Sequence, residues 1–129
     1  GVSVQLAAHV GSRFPALLSA TGRCIAAFGQ YPAAQLEAKF HTLRWDNPPG
    51  FGEWQAQVEQ TRAHGYGVDE SNYIAGVTLV AAPIWKAPGR PSHALVGIGI
   101  GTALKDEAIA RLGEALVASA RTISEQMGG

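Results

Sequence analysis

The stretch from His64 to Trp85, HGYGVDESNYIAGVTLVAAPIW, constrains the fold more than any other part of the chain. It reads as a helix end, a short strand from Tyr66 to Glu70, an acidic turn, and a second strand from Val77 to Trp85 that is apolar almost throughout. Gly65 stops the preceding helix, in which Phe51, Trp54, Val58 and Thr61 recur at helical spacing. Ala87-Pro88-Gly89-Arg90-Pro91 then makes a hairpin-like connection to a third strand, Ser92 to Gly101, with one end open to a bulge. Lys105 to Met127 is the clearest helix. Ile109, Leu112, Leu116, Ile123 and Met127 form one apolar stripe, and Asp106 and Glu107 in the first turn complement the helix dipole. Strands joined by a hairpin and flanked by helices predict an α+β domain with an antiparallel sheet.

The N-terminal half fits the same plan. Val2, Val4 and Leu6 alternate with polar or small residues, as in a half-buried strand. Gly11 to Pro15 is a turn, and a helix follows from Ser19 to Phe28, with Ser19 or Thr21 available to cap its free amides. A second, short helix begins near Pro32 and buries Leu36 and Phe40. Leu43 to Gly52, with its WDNPPGFG run, is a loop. The 129 residues suffice for one domain with one core.

Charge and cysteine content exclude several function classes. Ten Lys and Arg balance ten Asp and Glu, and no stretch gathers basic residues on one face. Phosphate neutralisation supplies most of the affinity for nucleic acid, so this chain by itself is not expected to bind DNA. One cysteine, Cys24, allows no internal disulfide and fits a reducing cytoplasm. No apolar run approaches the length of a membrane span, and no signal pattern precedes the first strand. A net charge of zero gives little colloidal repulsion, which favours self-association.

Two motifs carry a resemblance to a known family. GSRFP at Gly11 to Pro15 leads into a helix through Gly22-Arg23. GYGVD at Gly65 to Asp69 is followed by Gly76 and by VAAP at Val80 to Pro83. Together, in this order and with these helices between and after them, they resemble the effector-binding domain of IclR-type bacterial transcriptional regulators from about Val4 to Met127. The resemblance implies a GAF-like α+β fold, an antiparallel sheet flanked by helices. It also implies a small-molecule effector, homodimers or tetramers, and control of a separate N-terminal winged helix-turn-helix domain that alone touches DNA. On this expectation residues 1–129 are one effector domain, begun inside the domain and without its DNA-binding partner, and its exposed sheet edge can pair with a neighbour.

The candidate site residues follow from the family pattern and from strand periodicity. In SHALVGIGIG, Val96, Ile98 and Ile100 point to one face while Gly97, Gly99 and Gly101 point to the other. Glycines in a strand mark close approach, either by a packed helix or by a ligand. The resemblance places Gly97 and Gly99 where relatives present serines to the effector; a register shift of one residue puts Val96 and Ile98 there instead. Asp69 is either a turn aspartate that accepts backbone amides or an effector acceptor. Leu79 stands where several relatives carry Cys or a small polar residue, and Ala81 shares its strand face. Opposite them the resemblance sets the helix start with Ser19, Ala20, Thr21 and Gly22, whose open amides attract anions. Leu17 replaces the family's usual His, and Arg23 its usual Lys.

A small polar acid such as glyoxylate needs a partner for each oxygen, and each unmade bond costs about 1–3 kcal/mol. Leu79 and two glycines remove such partners, which predicts a larger, partly apolar effector, an aromatic or branched organic acid.

Other chemistries find less support. His9, His41, His64 and His93 lack metal-ligand spacing, so no metal site is expected. GIGIG lacks the third glycine of a dinucleotide loop and no second parallel strand follows, so no cofactor is expected. Cys24 lies mid-helix among apolar neighbours, as an inert buried thiol would. Trp45, Trp54 and Trp85 read as core or interface. An enzyme on a GAF-like fold would have to use His64, Asp69 or Cys24, but no two of these sit at a spacing that local structure joins, and Ser19 lacks a nucleophile elbow. A dimerisation module without ligand is the remaining alternative.

Overall fold

The computed structural model describes residues 4–10, 17–101 and 104–128. The elements run β1 (Val4–Val10), α1 (Ser19–Phe28), α2 (Ala33–Phe40), α3 (Phe51–His64), β2 (Gly67–Glu70), β3 (Val77–Ile84), β4 (His93–Ile100) and α4 (Asp106–Gly128). The four strands make one antiparallel sheet in the order β1-β4-β3-β2. The architecture is α+β, as expected. Val2 and the turn at Gly11 to Pro15 lie outside the described residues.

The layers explain the apolar run in β3. α4 covers one face of the sheet, where Val80, Ala82 and Ile84 pack with Leu104, Ile109, Leu116 and Ala120. α1 covers the other face, where Leu79, Ala81, Ala94 and Val96 pack with Ala20 and Cys24. A strand buried on both sides has no polar face to alternate with, so it reads as a continuous apolar run. Behind α1 a third cluster joins Leu17, Ala26 and Ala27 to Phe40, Trp54 and Val58, so that α2 and α3 form an outer layer over α1.

Gly65 terminates α3 at φ 88°, and its amide donates to the Thr61 carbonyl; the left-handed cap is where glycine has no steric cost. Three expectations are corrected. Neither Ser19 nor Thr21 caps α1: the N-cap is Leu18, without a side-chain cap bond, and Ser19 itself has φ 63°. β4 keeps an unbroken register with β3 from His93 to Ile100, so neither end is bulged. Met127 is 37% exposed rather than part of the buried stripe. At 23 residues α4 is about 34 Å long, whereas an eight-residue strand is about 27 Å.

Candidate functional site

Strand pairing settles which predicted residues share a face. Leu79 stands opposite Ile98 and Ala81 opposite Val96, whereas Val80 faces Gly97 and Thr78 faces Gly99. Directly opposed residues in an antiparallel pair project to the same side. Val77, Leu79, Ala81, Val96 and Ile98 therefore form the aliphatic floor under α1. Gly97 and Gly99 belong to the α4 side. A Cβ on Gly97 would lie 2.9 Å from Leu112 Cδ2, and one on Gly99 would lie 2.4 Å from Leu104 Cδ1. Gly97 and Gly99 thus face the α4 side, and of the two registers considered it is the one with Val96 and Ile98 that lies on the same face as Leu79 and Ala81.

The start of α1 stands over this floor. Ala20 is fully buried in the same cluster as Leu79 and Ala81, while Ser19 and Thr21 stay half-buried. Gly22 has no room for a side chain, since a Cβ would meet the Leu17 carbonyl carbon at 2.1 Å. Backbone cannot move aside as a side-chain tip can, so α1 begins with its chain folded tightly against residue 17.

Asp69 shares this face through its pairing with Leu79, but its carboxylate is already taken. Oδ1 accepts the amides of Asn72 at 2.9 Å and Tyr73 at 3.2 Å, and Oδ2 accepts Tyr73 N at 3.3 Å and Arg23 Nη1 at 3.2 Å. Both Arg23 and Asp69 have wholly buried side chains. The arginine uses its whole donor set. Nη1 also donates to the Ser19 carbonyl at 2.9 Å, Nε and Nη2 donate to Gln57 Oε1 at 2.9 and 2.7 Å, and Nη2 donates to Asn72 Oδ1 at 2.9 Å. Five N–H groups thus meet five acceptor contacts, the condition under which a guanidinium tolerates burial. Burial pushes the Arg23 guanidinium below its ordinary value, and the Asp69 charge opposes that shift. Asp69 makes the contacts of a turn aspartate, with the addition of a buried cation. Sequence reasoning noted Arg23 only as a replacement for lysine; its role needed partners 34, 46 and 49 residues away.

Cys24 donates its S–H to the Ala81 carbonyl at 3.1 Å. Burial pushes the thiol up to about 12, against smaller opposing effects of Gly67 and Arg23. An unfolded chain has a thiol near about 8.5, so above that pH the folded state holds the proton that the unfolded state has lost. Stability should therefore fall as pH rises from about 9 towards about 12. Cys24 should stay inert to a thiol reagent at pH ~8 until denaturant is added, because the reactive species is the thiolate. Rapid labelling of the folded chain would refute this.

His64 is exposed at the end of α3 and stacks on Tyr66 with ring centroids 5.6 Å apart. Cys24 and Asp69 are engaged as described, so the three groups of the enzyme alternative each have a packing partner. Among the described residues no three His, Cys, Asp or Glu gather as a metal site, and no helix is long and apolar enough to cross a membrane. Three clefts of about 310, 370 and 300 Å³ are lined by residues other than those of the α1 floor. Gln57 and Asn72, which hold Arg23, line the first.

An antiparallel sheet with α4 on one side and an aliphatic floor under the start of α1 on the other defines an α+β domain. Residues 2–125 match the family model described as bacterial transcriptional regulator IclR C-terminal, and the chain belongs to that family. Its members are transcriptional regulators, not enzymes. Among solved structures, the Agobacterium tumefaciens repressor BlcR is similar at a TM-score of 0.78 and 24% identity, covering 96% of this chain and 59% of that one. Pseudomonas aeruginosa HmgR is similar at 0.64 and 29% identity, over 88% of this chain and 45% of that one. The C-terminal domain of the E. coli transcriptional regulator KdgR is similar at 0.69 and 19% identity, over 99% of this chain and 88% of that one. No curated protein matches the chain. This chain thus spans a little over half of BlcR and under half of HmgR.

Proposed function

We propose that this domain binds a small-molecule effector on the sheet face beneath the start of α1, and that occupancy governs DNA binding by a separate N-terminal winged helix-turn-helix domain. The observation that carries the reading is the composition of that face. Val77, Leu79, Ala81, Val96 and Ile98 are all aliphatic, and Asp69, the one carboxylate on it, is saturated by Arg23 and two backbone amides. A ligand there finds polar partners in the first turn of α1, at Ser19 to Thr21, the Gly22 amide being held by the Leu18 carbonyl, and apolar contact elsewhere. That division suits a monocarboxylate with an aromatic or branched body: the anion docks at the helix start and the body lies on Val77 and Ile98, the floor residues that α1 leaves half-buried. Family membership supports effector control and self-association as a homodimer or tetramer. The balanced charge supports placing DNA contact in another domain.

Thermal unfolding against a panel of acids tests the reading. A ligand at about 100 times its Kd adds roughly 2.7 kcal/mol, a shift of several degrees for a domain of this size. Phenylacetate, benzoate or isovalerate should shift the midpoint, and glyoxylate and pyruvate should not. Val96→Ser with Ile98→Ser should move the preference towards the small polar acids. Equal shifts with glyoxylate in the parent chain would reject the apolar effector. A serine pair that changes nothing would move the site off this face.

A further inference from the structure

We propose a second small-molecule site, a notch between α4 and the end of β3 that takes a small aromatic monoanion. It is independent of the effector reading above and lies on another part of the domain.

The notch is a consequence of strand lengths. β2 pairs only Gly67 to Glu70 with β3, against Ala81 back to Thr78, so the last three residues of β3, Ala82 to Ile84, have no β2 partner. Pro83 occupies this stretch, where a residue without an N–H leaves no donor unpaired. Around the gap stand Phe28 at the end of α1, Trp85 after β3, Val117 and Arg121 on α4, and Gly65 at the end of α3, lining an open cleft of about 300 Å³. Gly65 keeps it open: its left-handed backbone disfavours any side chain, and a Cβ there would already touch Val117 at 3.6 Å. Phe28 and Trp85 meet edge to face with centroids 5.6 Å apart, and both remain half-buried. The volume is at the lower end of the range for small-molecule sites, enough for a bicyclic ring against two aromatic walls.

Charge chooses the ligand. Arg121 is the one charged residue lining the notch, and it takes no part in the ion pairs Arg23–Asp69, His41–Glu37, Arg62–Glu59 and Arg111–Glu107. Ser124, the other polar side chain, already donates to Ala120 O and accepts from Trp85 N. The C-terminal end of α3 adds partial negative charge at the Gly65 end. An anion therefore belongs at Arg121, with the ring body towards Phe28 and Gly65.

The test titrates the 129-residue chain with 1-naphthoate, followed by amide and indole chemical shifts. The expected result is saturable shifts at Gly65, Trp85, Val117 and Arg121. Val117→Trp, which fills the notch from a half-buried position, should abolish them. Arg121→Gln should weaken naphthoate about tenfold, in line with the loss of a charge-assisted contact, and leave the neutral 1-naphthalenemethanol unchanged. Shifts confined to Ser19–Gly22, Leu79 and Val96 would overturn the second site while supporting the effector reading. Shifts confined to the notch would support the second site and leave the effector reading to the acid panel that tests it. No saturable shift at the notch, or naphthoate affinity unchanged in Val117→Trp, overturns the proposal outright.

Discussion

Asp69→Ala should cost about 3–5 kcal/mol, the range for removing one partner of a buried ion pair, and lower the unfolding midpoint by roughly ten degrees or more. The substitution does three things. It leaves the Arg23 guanidinium buried without its counter-charge. It takes the acceptor from the amides of Asn72 and Tyr73, which hold the turn after β2. It also loosens the only carboxylate link between α1 and that turn in the Arg23 network. Asp69→Asn should fall between parent and alanine, since an amide oxygen can still accept the backbone N–H groups but carries no charge. In Arg23→Met/Asp69→Leu the charge term vanishes, so the double variant should be more stable than Asp69→Ala, with the unsatisfied turn amides as the residual cost. Urea unfolding followed by tryptophan fluorescence measures all three. An Asp69→Ala chain within about 1 kcal/mol of the parent would mean that water reaches the pair, as at surface ion pairs.

Much of this architecture was legible in the sequence because its causes are local. Gly65 after a helical apolar period marks the end of α3, the apolar run from Val77 to Trp85 marks β3, which ends one residue earlier at Ile84, and Ser19 to Phe28 emerges with the predicted bounds. Two features of the site were not legible. The period-two rule says that Gly97 and Gly99 share a face, but not whether that face meets α1 or α4; only the pairing of Leu79 with Ile98 decides it. The alternative register, with Val96 and Ile98 at the floor, was as consistent with the sequence as the one the glycines invited. Asp69 looked available to a ligand because its turn amides are local but its cation is 46 residues away. Gln57 and Asn72, which complete the arginine's shell, carry no sequence signal that sets them apart from surface amides.

Gly99→Leu gives the second large effect and separates packing from binding. Even a Cβ at residue 99 would lie 2.4 Å from Leu104 Cδ1, 2.5 Å from its Cγ and 3.2 Å from its Cβ. Leu104 is itself buried in the α4 core beside Ile109 and Leu116, so it has no empty space to swing into. Four added carbons must push α4 off the sheet or force Leu104 off its rotamer. The cost should reach or exceed the upper end of the roughly 1–3 kcal/mol typical of overpacked cores. Gly97→Ala tests the same face more gently. Its Cβ meets only the tip of Leu112, at 2.9 Å from Cδ2, and Leu112 is half-buried on the helix flank, so a rotamer change should keep the loss at the lower end of that range. Because both glycines face α4, whatever fraction of either variant folds should bind an effector on the α1 floor with unchanged affinity. The measurement is paired: unfolding free energy for each variant, and effector affinity of the folded population below the melting transition. Stable folding of Gly99→Leu with abolished effector binding would return the glycines to the pocket and invert the assignment of the two sheet faces. Loss of stability with affinity retained places the floor at Leu79, Val96 and Ile98, where changes of side chain should alter which acid binds rather than whether the domain folds.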